Sequence, residues 1–278
     1  MALRINTNIA SLNVQRNLTV NNRNMQNALE RLSTGYRINK AADDAAGYAV
    51  ANTFKARISS LRVAYQNATE SNSMLQVADG AYHEMYNILV RMKDLATQAA
   101  GGQITNANRE LLNTEFTQLQ AELDRIAMTS QYNGVTLVYS TGTGTAASFT
   151  FQIGSLNRSH DQLQVELQAV SSAALGVSAS RIGTQSAAQA AMDALDTAIT
   201  SINTYMAEIG AYQNRLQHTM DNLNIMIENY SASESAIRDA DMAYEVTQFT
   251  KTQILQQAGM AMLAQANAAP QQILTLLR

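Results

Sequence analysis

Residues 192–230 read MDALDTAITSINTYMAEIGAYQNRLQHTMDNLNIMIENY. Met192, Leu195, Ile199, Ile202, Met206, Ile209, Leu216, Met220, Leu223, Ile227 and Tyr230 recur in steps of three and four, with Gln213 in the one polar slot. This is an a/d seam sustained for more than five heptads. Such a seam is buried only when a long helix packs along another helix. A second seam supplies the partner. Phe54, Ile58, Leu61, Tyr65, Ala68, Asn72 and Leu75 follow the same spacing. After one 3-3 step the series continues through Ala78, Tyr82, Met85, Leu89, Met92 and Ala96. An extra short step of this kind locally overwinds a supercoil without ending the helix.

Leu112, Phe116, Leu119, Leu123 and Ile126 predict a shorter third helix, separated from the second by Gly101-Gly102. Between 131 and 180 the period changes. Tyr132-Asn133-Gly134 is a turn signal, and Val135–Tyr139 and Phe149–Ile153 are β-prone. Leu163, Val165 and Leu167 alternate. These segments predict a small β-hairpin or a three-stranded patch. The fold expected is mainly α: long antiparallel coiled-coil-like helices forming a rod, with a small β-hairpin region at about 131–180 between N- and C-terminal helical halves.

The two ends are unusual in lacking charge. Thr252–Leu277 carries none, yet it holds six glutamines, one asparagine and the chain's only proline, Pro270. That amide content excludes a membrane span, where each unpaired polar group costs several kcal/mol. A helix free on a protein surface shows a charged face, and this one has none. Ile5–Gln15 is likewise uncharged, and no acidic residue precedes Glu30. Helices of this kind are buried all round, and other copies of the chain are the expected covering. The candidate self-assembly contacts are Ile5, Ile9, Leu12, Val246, Phe249, Met260, Leu263, Leu274 and Leu277. Pro270 is expected to kink the last helix.

Composition narrows the function further. Charged residues make up 15% of the 278, against about 25% ordinarily, and some 48 Asn and Gln take their place. The net charge of −3 argues against nucleic acid as a partner. Zero cysteines exclude disulfides and thiolate metal sites. The N-terminus has no apolar signal region, so no cleaved secretory signal is expected.

Several stretches are similar to bacterial flagellin. At the N-terminal side they are Leu3-Arg4-Ile5-Asn6-Thr7-Asn8, Arg31-Leu32-Ser33-Thr34-Gly35, Arg37-Ile38-Asn39 and Asp43-Asp44-Ala45-Ala46-Gly47. At the C-terminal side they are Ile237-Arg238-Asp239-Ala240-Asp241, the run from Gln253 to Gly259, and Leu263–Asn267 leading to Pro270-Gln271-Gln272 and the final Leu-Leu-Arg. The resemblance covers roughly 1–135 and 190–278. It implies an inner-tube coiled-coil domain made of 1–42 plus 236–278, and a rod domain of 43–235. It implies a structural subunit of a motility filament, secreted without signal cleavage through the flagellar type III apparatus to an extracellular flagellum. Its implied partners are other copies of itself, an export chaperone, the filament cap protein and hook–filament junction proteins. Many flagellins carry large outer domains where this chain has about fifty residues.

Other readings are weaker. His83-Glu84-Met85-Tyr86-Asn87 falls one residue short of the helical zinc motif H-E-x-x-H, because Asn87 stands where the second imidazole is needed. No metal, cofactor or catalytic constellation is expected. Asp43-Asp44, Asp239 and Asp241 suit helix capping better than paired acid–base work. Positions matching Arg91, Leu95 and Glu115 belong, in the family, to the surface recognised by Toll-like receptor 5. The physical alternative is that this stripe packs subunit against subunit. A hook–filament junction protein, which shares terminal helices of this kind, is the nearest rival; a cytoplasmic coiled-coil adaptor would need charged, soluble ends.

Overall fold

The structure, a computed structural model, describes the backbone of residues 8–139 and 147–276 and the side chains of 8–139 and 148–268. Five helices dominate: α1 Ile9–Thr34, α2 Ala45–Ala100, α3 Asn106–Thr129, α4 Gln185–Arg238 and α5 Met242–Leu276. Two compact units divide the chain: Met1–Ile58 with Asn229–Arg278, and Ser59–Glu228. The division falls within α2 and within α4.

In the unit Ser59–Glu228 the heptad seams form the core. Leu75, Tyr82, Met85, Leu89 and Met92 of α2 meet Phe116 and Leu123 of α3 and Leu195, Ile202, Ile209 and Leu216 of α4. Tyr82 is fully buried, 6.2 Å from the ring of Tyr205, and its hydroxyl donates to the Gln168 carbonyl at 2.5 Å. Burial pushes the Tyr82 phenol well above its usual range, so it acts as a neutral donor.

The β region follows the hairpin reading and not the three-stranded one. Among the described residues it is two separate antiparallel pairs, not a three-stranded patch. β1 Gln131–Tyr132 and β2 Val135–Thr136 close around Asn133-Gly134, whose φ values of 49° and 78° are those of a tight hairpin turn. β3 Ala147–Gln152 pairs with β4 Gln162–Leu167. Leu137 and Val138 leave the strand and enter the core, where the Val138 carbonyl accepts the Val170 N–H at 2.8 Å. Burial of two apolar side chains there replaces a third strand.

The irregular stretch 168–184, unremarkable as sequence, turns its apolar side chains into the core. Val170, Val177 and Ile182 are fully buried. Its backbone groups are satisfied by three side chains of α3. Asn113 Oδ1 accepts the Ile182 N–H at 3.1 Å. Gln120 Nε2 donates to the carbonyls of Val177 and Ser180. The Asp124 carboxylate accepts the Ser172 N–H and hydroxyl, both at 2.7 Å. Buried backbone polar groups need such partners.

Candidate self-assembly surface

In the unit formed by the two ends, a short connector brings α1 beside α5. Gly35 closes α1 in the left-handed conformation at φ 74°, donating to the Arg31 carbonyl at 2.8 Å. A glycine adopts this geometry without steric cost. Tyr36 pairs antiparallel with Asp239, flanked by Arg37 N–H to Arg238 O at 2.7 Å and Ala240 N–H to Gly35 O at 2.9 Å. The Arg238 guanidinium lies 4.3 Å from the Tyr36 ring centre. Asp44 Oδ1 caps α2 through the Gly47 N–H at 3.0 Å. A Cβ on Gly47 would stand 2.4 Å from Asp44 Oδ2 and 2.9 Å from Ile38 Cδ1, so any other residue would force the capping carboxylate and Ile38 to shift. Asp43 instead accepts the N–H groups of Asn39 and Lys40, closing the loop. Asp241 caps α5 through Ala243 and Tyr244, whereas Asp239 follows the end of α4 and serves through its backbone. Of these acidic residues, Asp44 and Asp241 cap helices within the subunit, whereas Asp43 and Asp239 do not.

The α1–α5 contact mixes apolar with small and polar residues; on α1, Val14, Leu18, Met25 and Leu32 are half-buried and Ala28 is buried. The stripe of α5 turned inward is Glu245, Phe249, Thr252, Gln256, Gly259, Leu263 and Ala266, in alternating steps of four and three. Glu245 is buried and accepts from Arg31 Nη1 at 3.1 Å. Asn8 donates to the Ala266 carbonyl at 2.7 Å. At Gly259 a Cβ would come within 2.6 Å of a Leu18 methyl. A glycine inside a helix costs about 1 kcal/mol relative to alanine, so its presence marks this close approach.

Many further apolar side chains are left on the outside. Ile9, Leu12, Val20 and Leu29 of α1 and Val246, Ile254, Leu255, Met260 and Met262 of α5 are all exposed. On α5 a shallow groove of about 460 Å³ is lined by Val246, Thr247, Thr250, Lys251, Ile254 and Leu255. Only two residues of α5, Glu245 and Lys251, are charged, and Glu245 is turned inward. The spacing-derived seam is therefore split. Phe249 and Leu263 are half-buried on the stripe facing α1, while Ile9, Leu12, Val246 and Met260 face outward. Spacing alone could not separate them, because apolar residues occupy two stripes and the inward one was recognisable mainly by Glu245 and Gly259. Ile5 and Leu277 lie outside the described residues, as does the side chain of Leu274.

Elsewhere the candidate stripe is not one surface. Arg91 Nε and Nη2 donate to Glu115 Oε1 at 3.0 and 2.7 Å, bridging α2 and α3 with both side chains exposed. Leu95 is 2% exposed and belongs to the core. The expectation that Leu95 sits on the same outer stripe is corrected: α2 packs on both α3 and α4, so its buried face is wider than an a/d seam and includes Leu95. His83 and Asn87 are exposed on α2. Among the described residues no group of three His, Cys, Asp or Glu side chains is placed to hold a metal, and no helix is long and apolar enough to cross a membrane.

A family model described as the bacterial flagellin N-terminal helical region matches residues 5–143, and one described as the C-terminal helical region matches 192–277. The chain belongs to the bacterial flagellin family. A flagellin from Halalkalibacterium halodurans is 40% identical over 276 residues, covering 99% of both chains. The flagellar filament 33 kDa core protein of Treponema phagedenis is 40% identical over 286 residues, again with 99% coverage of each. A solved structure of a putative flagellar hook-associated protein from Vibrio parahaemolyticus aligns with a TM-score of 0.53 over 71% of this chain and 97% of that one. At 14% identity this likeness shows the fold alone. Of the stretches that carry the resemblance, Arg31–Gly35, Arg37–Asn39 and Ile237–Asp241 come together at the Tyr36–Asp239 pairing.

Proposed function

We infer that this flagellin is the structural subunit of a bacterial flagellar filament, and that it polymerises through the outward faces of α1 and α5. The observation that carries the reading is that the helix pair has apolar side chains on both sides. Val14, Leu18, Met25, Leu32, Phe249 and Leu263 are half-buried within it, while Ile9, Leu12, Val246, Ile254 and Met260 remain exposed outside. An exposed apolar surface of this extent on an isolated subunit marks an interaction site. The lack of charge along α5 makes other copies of the same helices its matching partner. A hook–filament junction role is less well supported, since relatives named as flagellin or filament core protein match end to end at 40% identity.

Export by the type III apparatus, an export chaperone, the cap protein and junction proteins are proposed partners on family grounds, as is the division into an inner-tube domain of 1–42 plus 236–278 and a rod domain of 43–235. Recognition of free monomer by Toll-like receptor 5 is proposed for the exposed Arg91–Glu115 pair, with subunit packing as its native role. Purified protein, alone and without cap or junction proteins, is expected to grow micrometre filaments from short seeds of itself, seen by negative-stain electron microscopy. Filament growth that requires another flagellar protein as a stoichiometric component would argue for the junction role instead.

A further inference from the structure

The chain contains 13 methionines and no cysteine, so thioethers are its only sulfur. Four of the eight methionines in the unit Ser59–Glu228 are shielded: Met74 and Met220 are 7% exposed, and Met85 and Met92 fully buried. Met260 and Met262 are the opposite, at 54% and 60% the most exposed described methionines. Two residues apart on a helix of 3.6 residues per turn, they point to nearly opposite sides of α5. Each therefore belongs to a different flank of the helix proposed to be covered by neighbouring copies.

We propose that Met260 and Met262 are a modification site at which hydrogen peroxide, or a related two-electron oxidant, blocks assembly of the free subunit. The proposal rests on the assembly surface inferred above. A sulfur lone pair attacks the terminal oxygen of the peroxide and the O–O bond breaks. After proton transfer, one oxygen remains on sulfur as the sulfoxide and the other leaves as water. Sulfur loses two electrons and the peroxide gains them. The product is a strong hydrogen-bond acceptor where an apolar side chain stood. Burying it between copies without a donor is unfavourable. Within one turn on α5, Gln256 and Gln257 flank Met260 and Gln265 flanks Met262, so glutamine amides are the only side-chain donors α5 itself offers there. In the assembled polymer the same sulfurs are covered, so the free subunit is the vulnerable form. Enzymatic reduction of the sulfoxide reverses the block.

The test uses the full chain as monomer, treated with hydrogen peroxide, freed of it, and examined by peptide mass spectrometry for sulfoxide at each methionine. Assembly is then followed by light scattering from self-seeds. With both residues oxidised, the critical concentration is expected to rise about ten-fold, the factor equivalent to 1.4 kcal/mol. Methionine sulfoxide reductase is expected to restore it. The double variant Met260→Leu, Met262→Leu, compared with its own untreated form, is expected to stay within about two-fold after the same treatment. Met128→Leu with Met226→Leu, two exposed methionines of the other unit, is expected to give no protection. Unchanged assembly with both sulfoxides present overturns the proposal, as does failure of the reductase to restore assembly. Ile254→Asp, which alters no sulfur, separates the two readings. If it assembles normally, the underlying surface assignment fails; if it is blocked while oxidised wild type assembles, only the methionine assignment fails.

Discussion

Ile254→Asp is expected to abolish polymerisation while the monomer keeps its helical content and its unfolding midpoint. Ile254 is 59% exposed and sits on the side of α5 away from the Gly259–Leu18 contact. Within one subunit the substitution places a carboxylate in water, which costs little. In a polymer the same carboxylate would be covered by neighbouring copies in a region whose nearest α5 charge is Lys251. Lys251, one turn away in the same groove, could pair with it, but burying an ion pair between copies still carries a desolvation cost, and a penalty of about 3 kcal/mol per subunit is expected. At 1.4 kcal/mol per decade this raises the critical concentration by roughly a hundred-fold. Circular dichroism of the monomer and light scattering of the seeded protein measure the two halves of the expectation. Leu263→Asp is a less selective probe, because Leu263 is half-buried on the stripe facing α1 and its loss would loosen the helix pair itself. Normal growth of Ile254→Asp filaments would remove this face from the interface.

Leu95→Ala is expected to destabilise the monomer by about 2–5 kcal/mol, the range for removing a buried leucine and leaving a cavity. Arg91→Ala should cost no more than about 1 kcal/mol, because its pair with Glu115 is exposed and screened. Chemical denaturation of each monomeric variant reads the difference directly. The contrast bears on receptor recognition. A weaker dose response from Leu95→Ala in reporter cells would follow from a disturbed core, whereas a weaker response from Arg91→Ala at unchanged stability would identify a surface contact. Equal stabilities for the two variants would mean that Leu95 does not pack as described.

The long helices were legible because their seams are regular. Met85, Leu89, Met92, Leu195, Ile202 and Leu216 occupy core positions that spacing alone assigned. What spacing could not assign is a face buried against two neighbours at once, and Leu95 was misplaced for that reason. The stretch 168–184 was illegible because its burial depends on partners far away in sequence: Asn113, Gln120 and Asp124 supply its backbone hydrogen bonds. At the ends, missing charge set α1 and α5 apart, but the direction each side chain takes depended on small features. Gly259 permits close approach and Glu245 pairs with Arg31, and together they turn Val246 and Met260 outward. A helical glycine and a lone acidic residue in an uncharged tract are the signals that would have set the register.

The central claim is that copies of this flagellin meet through the outward apolar faces of α1 and α5. A helical reconstruction by electron cryomicroscopy of filaments grown from the purified protein tests it most directly. The account predicts that α1 and α5 of each subunit lie side by side at the filament interior, with Ile9, Leu12, Val246, Ile254 and Met260 covered by neighbouring copies. A reconstruction in which those side chains face solvent, and the contacts between copies run only through Ser59–Glu228, would contradict it.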